Sequence, residues 1–211
     1  MRTKHPCHHV RKVAAVCLAL ILLSSCVGID ARFVIRENGA GTLSLTYRVS
    51  QELVELGQTG SEKAGVPLPL SEADFRRSLD SARGVRLASF HRSENAKDLT
   101  VSAQIAFDSI EALANLPAFQ DAGLSLTTEG GRHTLSQVIS RAPREPVSED
   151  SLEMVDALFD GYDLAWSIEV PRAIQSSTRG MLSADRRTLT YRTSITEILR
   201  SAADIDLSVS W

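Results

Sequence analysis

The chain has 211 residues, 43% hydrophobic and 23% charged, with a formal net charge of −3. Such a composition is globular and excludes both a disordered chain and one embedded throughout in a membrane. Residues 1–25 carry Arg2, Lys4, Arg11 and Lys12 and no acid, so residues 26–211 hold 19 basic and 26 acidic side chains; that net −7 excludes nucleic acid as a main partner, because phosphate binding needs a cationic face.

In chain order, residues 1–12 form a basic segment and Val13–Leu23 an apolar run of 11 residues. A membrane span needs about 20 such residues, whereas a signal-peptide core needs about 7–15. Leu23-Ser24-Ser25-Cys26 follows, an aliphatic residue, two small ones and a cysteine. This looks like the bacterial lipobox. It predicts a lipoprotein signal peptide over 1–25 and a single lipid-anchored domain over 26–211, with diacylglycerol on the Cys26 thiol and a further acyl chain, such as palmitate, on its freed amine. Cys7 and Cys17 would leave with the signal, so folding would use no disulfide. The partner implied is a membrane, reached through the lipid, on the extracytoplasmic side of a bacterial cell envelope.

Strand signals follow almost at once. Ile29, Ala31, Phe33 and Ile35 alternate with polar neighbours, Asn38–Gly41 supplies a turn, and Leu43, Leu45, Tyr47 and Val49 continue the pattern, which is a hairpin with one apolar face. Only Val27 and Gly28 separate Cys26 from this strand, a reach of roughly 10 Å. Ser50–Leu56 reads as a short helix and Gly57–Leu70 as a loop. Ser71 and Asp74 open a helix with an apolar stripe of Phe75, Leu79 and Ala82. A second hairpin spans about 84–107, and Asp108 with Glu111 predicts a capped helix stopped by Pro117. A third hairpin turns at Gly130-Gly131, and a helix spans 149–160. A fourth hairpin runs from Leu164 to Thr193 through a long turn, Ser194 with Glu197 caps a last helix, and Ile205–Trp211 is a strand. The pattern predicts an α+β fold of about nine strands: a largely antiparallel sheet of ββα units with amphipathic helices on one face. Leu45–Ser50 also echoes Leu189–Ser194, which raises either a duplication or the ordinary composition of strands.

Chemistry is sparse. No Gly-x-Ser-x-Gly elbow occurs, and His91 and His133, the two histidines after the leader, are far apart in sequence. No Cys pair or His-x-x-x-His suggests a metal, and Glu149, Glu153, Asp156, Asp160 and Asp163 lack a ligand loop, so they read as a solvated helix face. No catalytic residue, metal or cofactor is predicted. Arg76-Arg77, Arg83 with Arg86, and Arg186-Arg187 could grip phosphates or carboxylates, or simply solubilise the surface. Val66–Leu70 either contacts a membrane or partner or tucks under the helices.

Three blocks carry a family resemblance: the lipobox running into the Ile29–Arg36 strand; Asn38-Gly39-x-Gly41 leading to Tyr47-Arg48-Val49-Ser50; and Ile168–Pro171 followed by Gly180, Ser183, Asp185 and Thr188–Tyr191. Together they resemble the LppM-type family of bacterial envelope lipoproteins, a domain of unknown function, and also spirochaete lipoproteins. The resemblance implies a lipid-anchored α+β domain with a lipid or lipoglycan ligand and no catalytic motif. Many members also carry a C-terminal transmembrane helix, which this sequence lacks up to Trp211. The function expected is non-enzymatic binding of a lipid or amphipathic ligand at the membrane surface; the alternative is a structural lipoprotein that binds an envelope protein partner through a sheet face or edge.

Overall fold

The computed structural model describes residues 27–51, 54, 68–80 and 82–211. The leader, Leu23, Ser24, Ser25 and Cys26 lie outside the described residues, as do the 57–67 stretch and most of the 50–56 helix. Described strands are β1 (Val27–Ile35), β2 (Gly41–Ser50), β3 (Val85–Glu94), β4 (Asp98–Phe107), β5 (Ser125–Glu129), β6 (Arg132–Ser140), β7 (Asp163–Glu169), β8 (Ser176–Ser177), β9 (Met181–Leu182), β10 (Thr188–Ser194) and β11 (Ile205–Ser210). Described helices are α1 (Glu72–Leu79), α2 (Ile110–Ala114), α3 (Pro117–Gln120), α4 (Glu149–Leu158) and α5 (Ile195–Arg200).

The fold is α+β with largely antiparallel sheets, as the sequence predicts, but there are two sheets rather than one. A seven-stranded sheet has the order β3-β4-β2-β1-β7-β10-β9 and a four-stranded sheet the order β5-β6-β11-β8. Alternation builds the large sheet. Ala31, Phe33, Ile35, Leu43, Val49, Leu99, Val101 and Ile105 are buried on its inner face, while Thr42, Ser44, Thr46, Ser102 and Gln104 take the outer one. Leu135, Leu207, Val209 and Trp211 of the small-sheet chain join the same core, as do Phe75 and Leu79 of α1 and Ile110 and Leu113 of α2. The second sheet therefore covers part of the face that helices alone are expected to cover.

One pairing is parallel: β1 lies beside β7, with Ile29 opposite Leu164 and Phe33 opposite Ile168. Local periodicity shows which side of a strand is buried, not which distant strand lies beside it. The β1–β2 and β7–β10 hairpins flank this seam, and Tyr47 and Tyr191 both face inward. The two hairpins thus open in opposite directions with the same face buried. Duplication preserves hand, so the echo between Leu45–Ser50 and Leu189–Ser194 reflects strand composition.

Helix starts follow serine caps. The Ser71, Ser109 and Ser148 hydroxyls accept from Asp74, Ala112 and Ser151 backbone N–H groups, and Ser194 completes a full capping box with Glu197. The cap of α2 is thus Ser109, one residue after the predicted Asp108. Gly41 has a steric reason: a side chain there would collide with the Val34 carbonyl and the Phe107 ring.

Candidate functional site

The end of the large sheet where β1 begins is its proximal end; β7 starts there and β2 and β10 finish there. Strand pairing reaches Val27, opposite Val49. The expected spacer of Val27 and Gly28 is therefore itself part of β1, and Cys26 adjoins a paired strand residue directly.

Burial along the inner face is uneven. Toward the distal end Phe33, Ile35, Leu43, Ile168 and Leu189 are at most 3% exposed. Toward the proximal end Tyr47, Val49, Leu99 and Val101 are also buried, but Ile29, Leu45, Leu164, Trp166 and Tyr191 are only half-buried. The register makes these contiguous: Leu45 and Trp166 flank Ala31, Tyr191 lies opposite Trp166, and Ile29 lies opposite Leu164. Trp166 and Tyr191 stack with ring centroids 6.0 Å apart. The alanines at positions 31 and 103 flank Leu45 with little side-chain volume. The result is an apolar, aromatic-backed strip across four strands.

At its β10 border, where β9 pairs only with Leu189 and Thr190, an open groove of about 470 Å³ is lined by Tyr191, Thr193, Arg179, Arg192, Glu197 and Arg200. Its arginines are tied back: Arg192 to Asp163 at 3.0 Å, Arg200 to Glu149 at 3.4 Å, and Arg179 Nε to the Asp206 carbonyl at 3.2 Å. Arg192 and Arg200 can turn toward an anion only by exchanging exposed ion pairs, which are individually worth little, and Arg179 only by leaving the Asp206 carbonyl.

The proximal end also carries a buried polar latch. The Tyr162 hydroxyl donates to Asp98 Oδ1 at 2.5 Å, and both residues are buried. The Arg48 guanidinium lies 5.4 Å and the Lys97 ammonium 5.8 Å from the Tyr162 ring centroid, and Arg48 also donates to the Gly161 carbonyl at 2.6 Å. Tyr162 belongs with Val155 and Phe159 to a small core under α4 and α5, separate from the main one. These helices carry the chain between the two sheets and are joined by Thr196 to Asp156 at 2.9 Å.

Elsewhere on the inner face, Tyr47 is buried and its hydroxyl has no hydrogen-bond partner among the described residues. Burial, with the Asp74 carboxylate adding to it, pushes this phenol well above its ordinary range. Asp74 is held below the usual carboxylate range, first by the Ser71 hydroxyl and then by Arg77.

The sequence candidates are dispersed. His91 sits on the outer face of β3 opposite Ser102, whereas His133 is on the small sheet, bonded through Nδ1 to Thr128 and against Trp211. Glu149 and Asp156 of the acidic helix bond to α5. Among the described residues, no cluster of His, Cys, Asp or Glu could hold a metal, and no helix is long and apolar enough to cross a membrane. Arg186 has a structural role: at φ 55° it donates twice to the Ile174 carbonyl, pinning the long β7–β10 turn. In the described part of the Val66–Leu70 segment, residues 68–70, Leu68 and Leu70 pack partly buried against the main core. The half-buried strip is missed by sequence reading, because its residues belong to a regular alternation that a fully buried strand shows equally.

No protein-family model matches the chain. No curated protein matches it either. Among solved structures it is similar to the NMR structure of the folded domain of LppM from Mycobacterium tuberculosis, at 14% identity and a TM-score of 0.48, covering 89% of this chain and 90% of that one.

Proposed function

We propose that the protein is a lipoprotein of the bacterial cell envelope, anchored through Cys26 on the extracytoplasmic side of a membrane, that binds a lipid or other amphipathic ligand without catalysing a reaction. The observation that carries this reading is the half-buried strip of Ile29, Leu45, Leu164, Trp166 and Tyr191. A contiguous apolar surface beside small side chains suits an acyl chain, and aromatic rings with polar groups at the border suit an amphiphile's two ends. The start of β1 at Val27 supports it further. An acylated Cys26 would leave no slack, so the strip's proximal border would lie near the headgroups at high effective ligand concentration.

Native mass spectrometry of the acylated protein from its host membrane tests the reading. A bound lipid mass is expected in the wild type and lost in Trp166→Ser. Absence of any such adduct, or its persistence in that variant, would overturn it. Moving the domain away with a flexible linker of about 20 residues between Cys26 and Val27 should lower loading without affecting acylation; after Gly28 the same insertion would cut β1.

A second reading, a structural lipoprotein acting through protein contacts, is favoured by one observation: the long β3 strand stands at the sheet edge with a single neighbour among the described residues.

A further inference from the structure

We propose that β3 is a docking strand, and that an extended acidic segment of a partner protein adds to its open edge. This site is independent of the apolar strip and goes beyond the ligand reading.

The large sheet begins with β3, which among the described residues pairs only with β4. The Asn95 N–H donates to the Asp98 carbonyl at 3.0 Å, which fixes the phase of the ladder. Residues 89, 91, 93 and 95 therefore turn their backbone groups to β4, while Phe90, Arg92 and Glu94 turn theirs outward. At the other end the Asp108 N–H donates to the Gly84 carbonyl at 2.8 Å, so Val85 and Leu87 face outward, and the irregularity between Leu87 and Ser89 switches the phase. The outward backbone groups of these five residues have no partner among the described residues. Ten residues long and without proline, β3 is longer than the other edge strands, β5 of five residues and β8 and β9 of two each. Its protective devices among the described residues are the bulge and the charged side chains of Arg86, Arg92 and Glu94.

Charge complementarity identifies the occupant. A groove of about 360 Å³ between α1 and the start of β3 has Leu79 and Leu87 in its lining together with three cations, Arg76, Arg83 and Arg86, and one carboxylate, Asp80. Arg76 is paired with Glu72 at 2.6 Å, Arg86 meets Asp108 at only 3.5 Å, and Arg83 has no partner among the described residues. A strand added to β3 would place alternate side chains beside this groove, where a carboxylate meets guanidinium groups and an aliphatic stem meets the leucines.

Full-length acylated protein in detergent, with two capped heptapeptides as probes, tests the proposal. One alternates valine and glutamate and the other valine and lysine. The glutamate peptide is expected to protect the Phe90 and Glu94 amides from hydrogen exchange, and the lysine peptide is not. Because the Arg92 N–H points outward, Arg92→Pro removes a docking donor while sparing the β3–β4 ladder; it should weaken binding about tenfold beyond Arg92→Ala, which controls for the lost guanidinium. Arg83→Glu should weaken binding by about tenfold or more, and it decides together with the peptide pair if Arg92→Pro does not fold. Equal affinity for the two peptides, no protection on β3, or equal binding by Arg92→Pro and Arg92→Ala would overturn the proposal. A peptide-free dimer with protected β3 amides would overturn it too, by giving the edge to a second copy. Lipid loading should be unchanged in every variant, so this proposal can fail without the ligand reading failing.

Discussion

The two halves of the large sheet's inner face follow one sequence rule and end differently. In the distal half Phe33, Leu43, Ile168 and Leu189 are sealed in a core that also contains Leu207, Val209 and Trp211. In the proximal half Tyr47, Val49, Leu99 and Val101 are sealed as well, but Ile29, Leu45, Leu164, Trp166 and Tyr191 continue the same strands with the same alternation and stay half-buried. The small core under α4 and α5 is separate from the main one. Alternation says that a face is apolar; whether it becomes core depends on what elements far along the chain cover. The sealed residues are where stability should reside, and the half-buried strip is where apolar surface remains for a ligand.

Truncation should separate the halves. Phe33→Ala, in the sealed half, is expected to cost about 3–5 kcal/mol through lost burial and the cavity left behind. Trp166→Ala should cost less despite the larger side chain, about 1–2 kcal/mol, because part of its surface is never withdrawn from water. Urea denaturation of both variants checks the ordering, and equal costs would erase the distinction between the halves.

The proximal latch comes next in size. Asp98→Ala leaves the buried Tyr162 hydroxyl without its acceptor, and about 2 kcal/mol of stability should be lost. Hydrogen exchange should show the loss first in α4 and α5, because their core is joined to β2 and β4 through Tyr162 and Gly161. A loss felt equally in α1 would mean that the two cores unfold together.

Tyr47→Phe removes a buried hydroxyl that satisfies no partner among the described residues and should be neutral or stabilising, by up to about 1 kcal/mol. The raised Tyr47 pKa fixes the sign of the pH effect. Its favourable neutral form is intact below about pH 10, the phenol's unfolded value, and stability falls as pH rises above it. Thermal melts between neutral and strongly alkaline pH should therefore fall less steeply for Tyr47→Phe than for the wild type.

The smallest effect should lie in the β7–β10 turn. The Ser183 hydroxyl, aided by the Arg187 N–H, holds the Asp185 carboxyl below its ordinary range. A lowered carboxyl supplies stability that is present above its unfolded value of about 3.9 and lost as pH falls through the folded one. Asp185→Asn should thus lower Tm slightly at pH 7, and the difference should close as the pH falls below about 4. A gap that persists in acid would assign the turn's stability to other contacts.

Much of this architecture is legible in the chain, because it is locally encoded. The Ser71 and Ser194 caps, the Gly130-Gly131 turn and the alternation of Leu99–Phe107 each lie within a few residues of the structure they specify. What is not legible depends on distance in sequence. The parallel seam joins Ile29 to Leu164, and the second sheet brings β11 between β6 and β8. Neither partner is marked by composition, so a single helix-covered sheet is the simplest expectation. The candidate strip shares that fate: Trp166 and Ile168 are equivalent in the alternation, yet one is half-buried and the other 1% exposed. The anchor is the opposite case. Leu23, Ser24, Ser25 and Cys26 form a contiguous signal that depends on no fold, and they lie outside the described residues.

The chain's two tryptophans make the central claim directly measurable, because Trp166 lies on the half-buried strip and Trp211 in the sealed core. Fluorescence of the single-tryptophan variants Trp211→Phe and Trp166→Phe can be titrated with a bromo fatty acid below its micelle concentration, since bromine quenches only on contact. The account predicts saturable quenching of Trp166 in the first variant and little change in Trp211 in the second. Equal quenching of both, or none of Trp166, would contradict a ligand site on the half-buried strip.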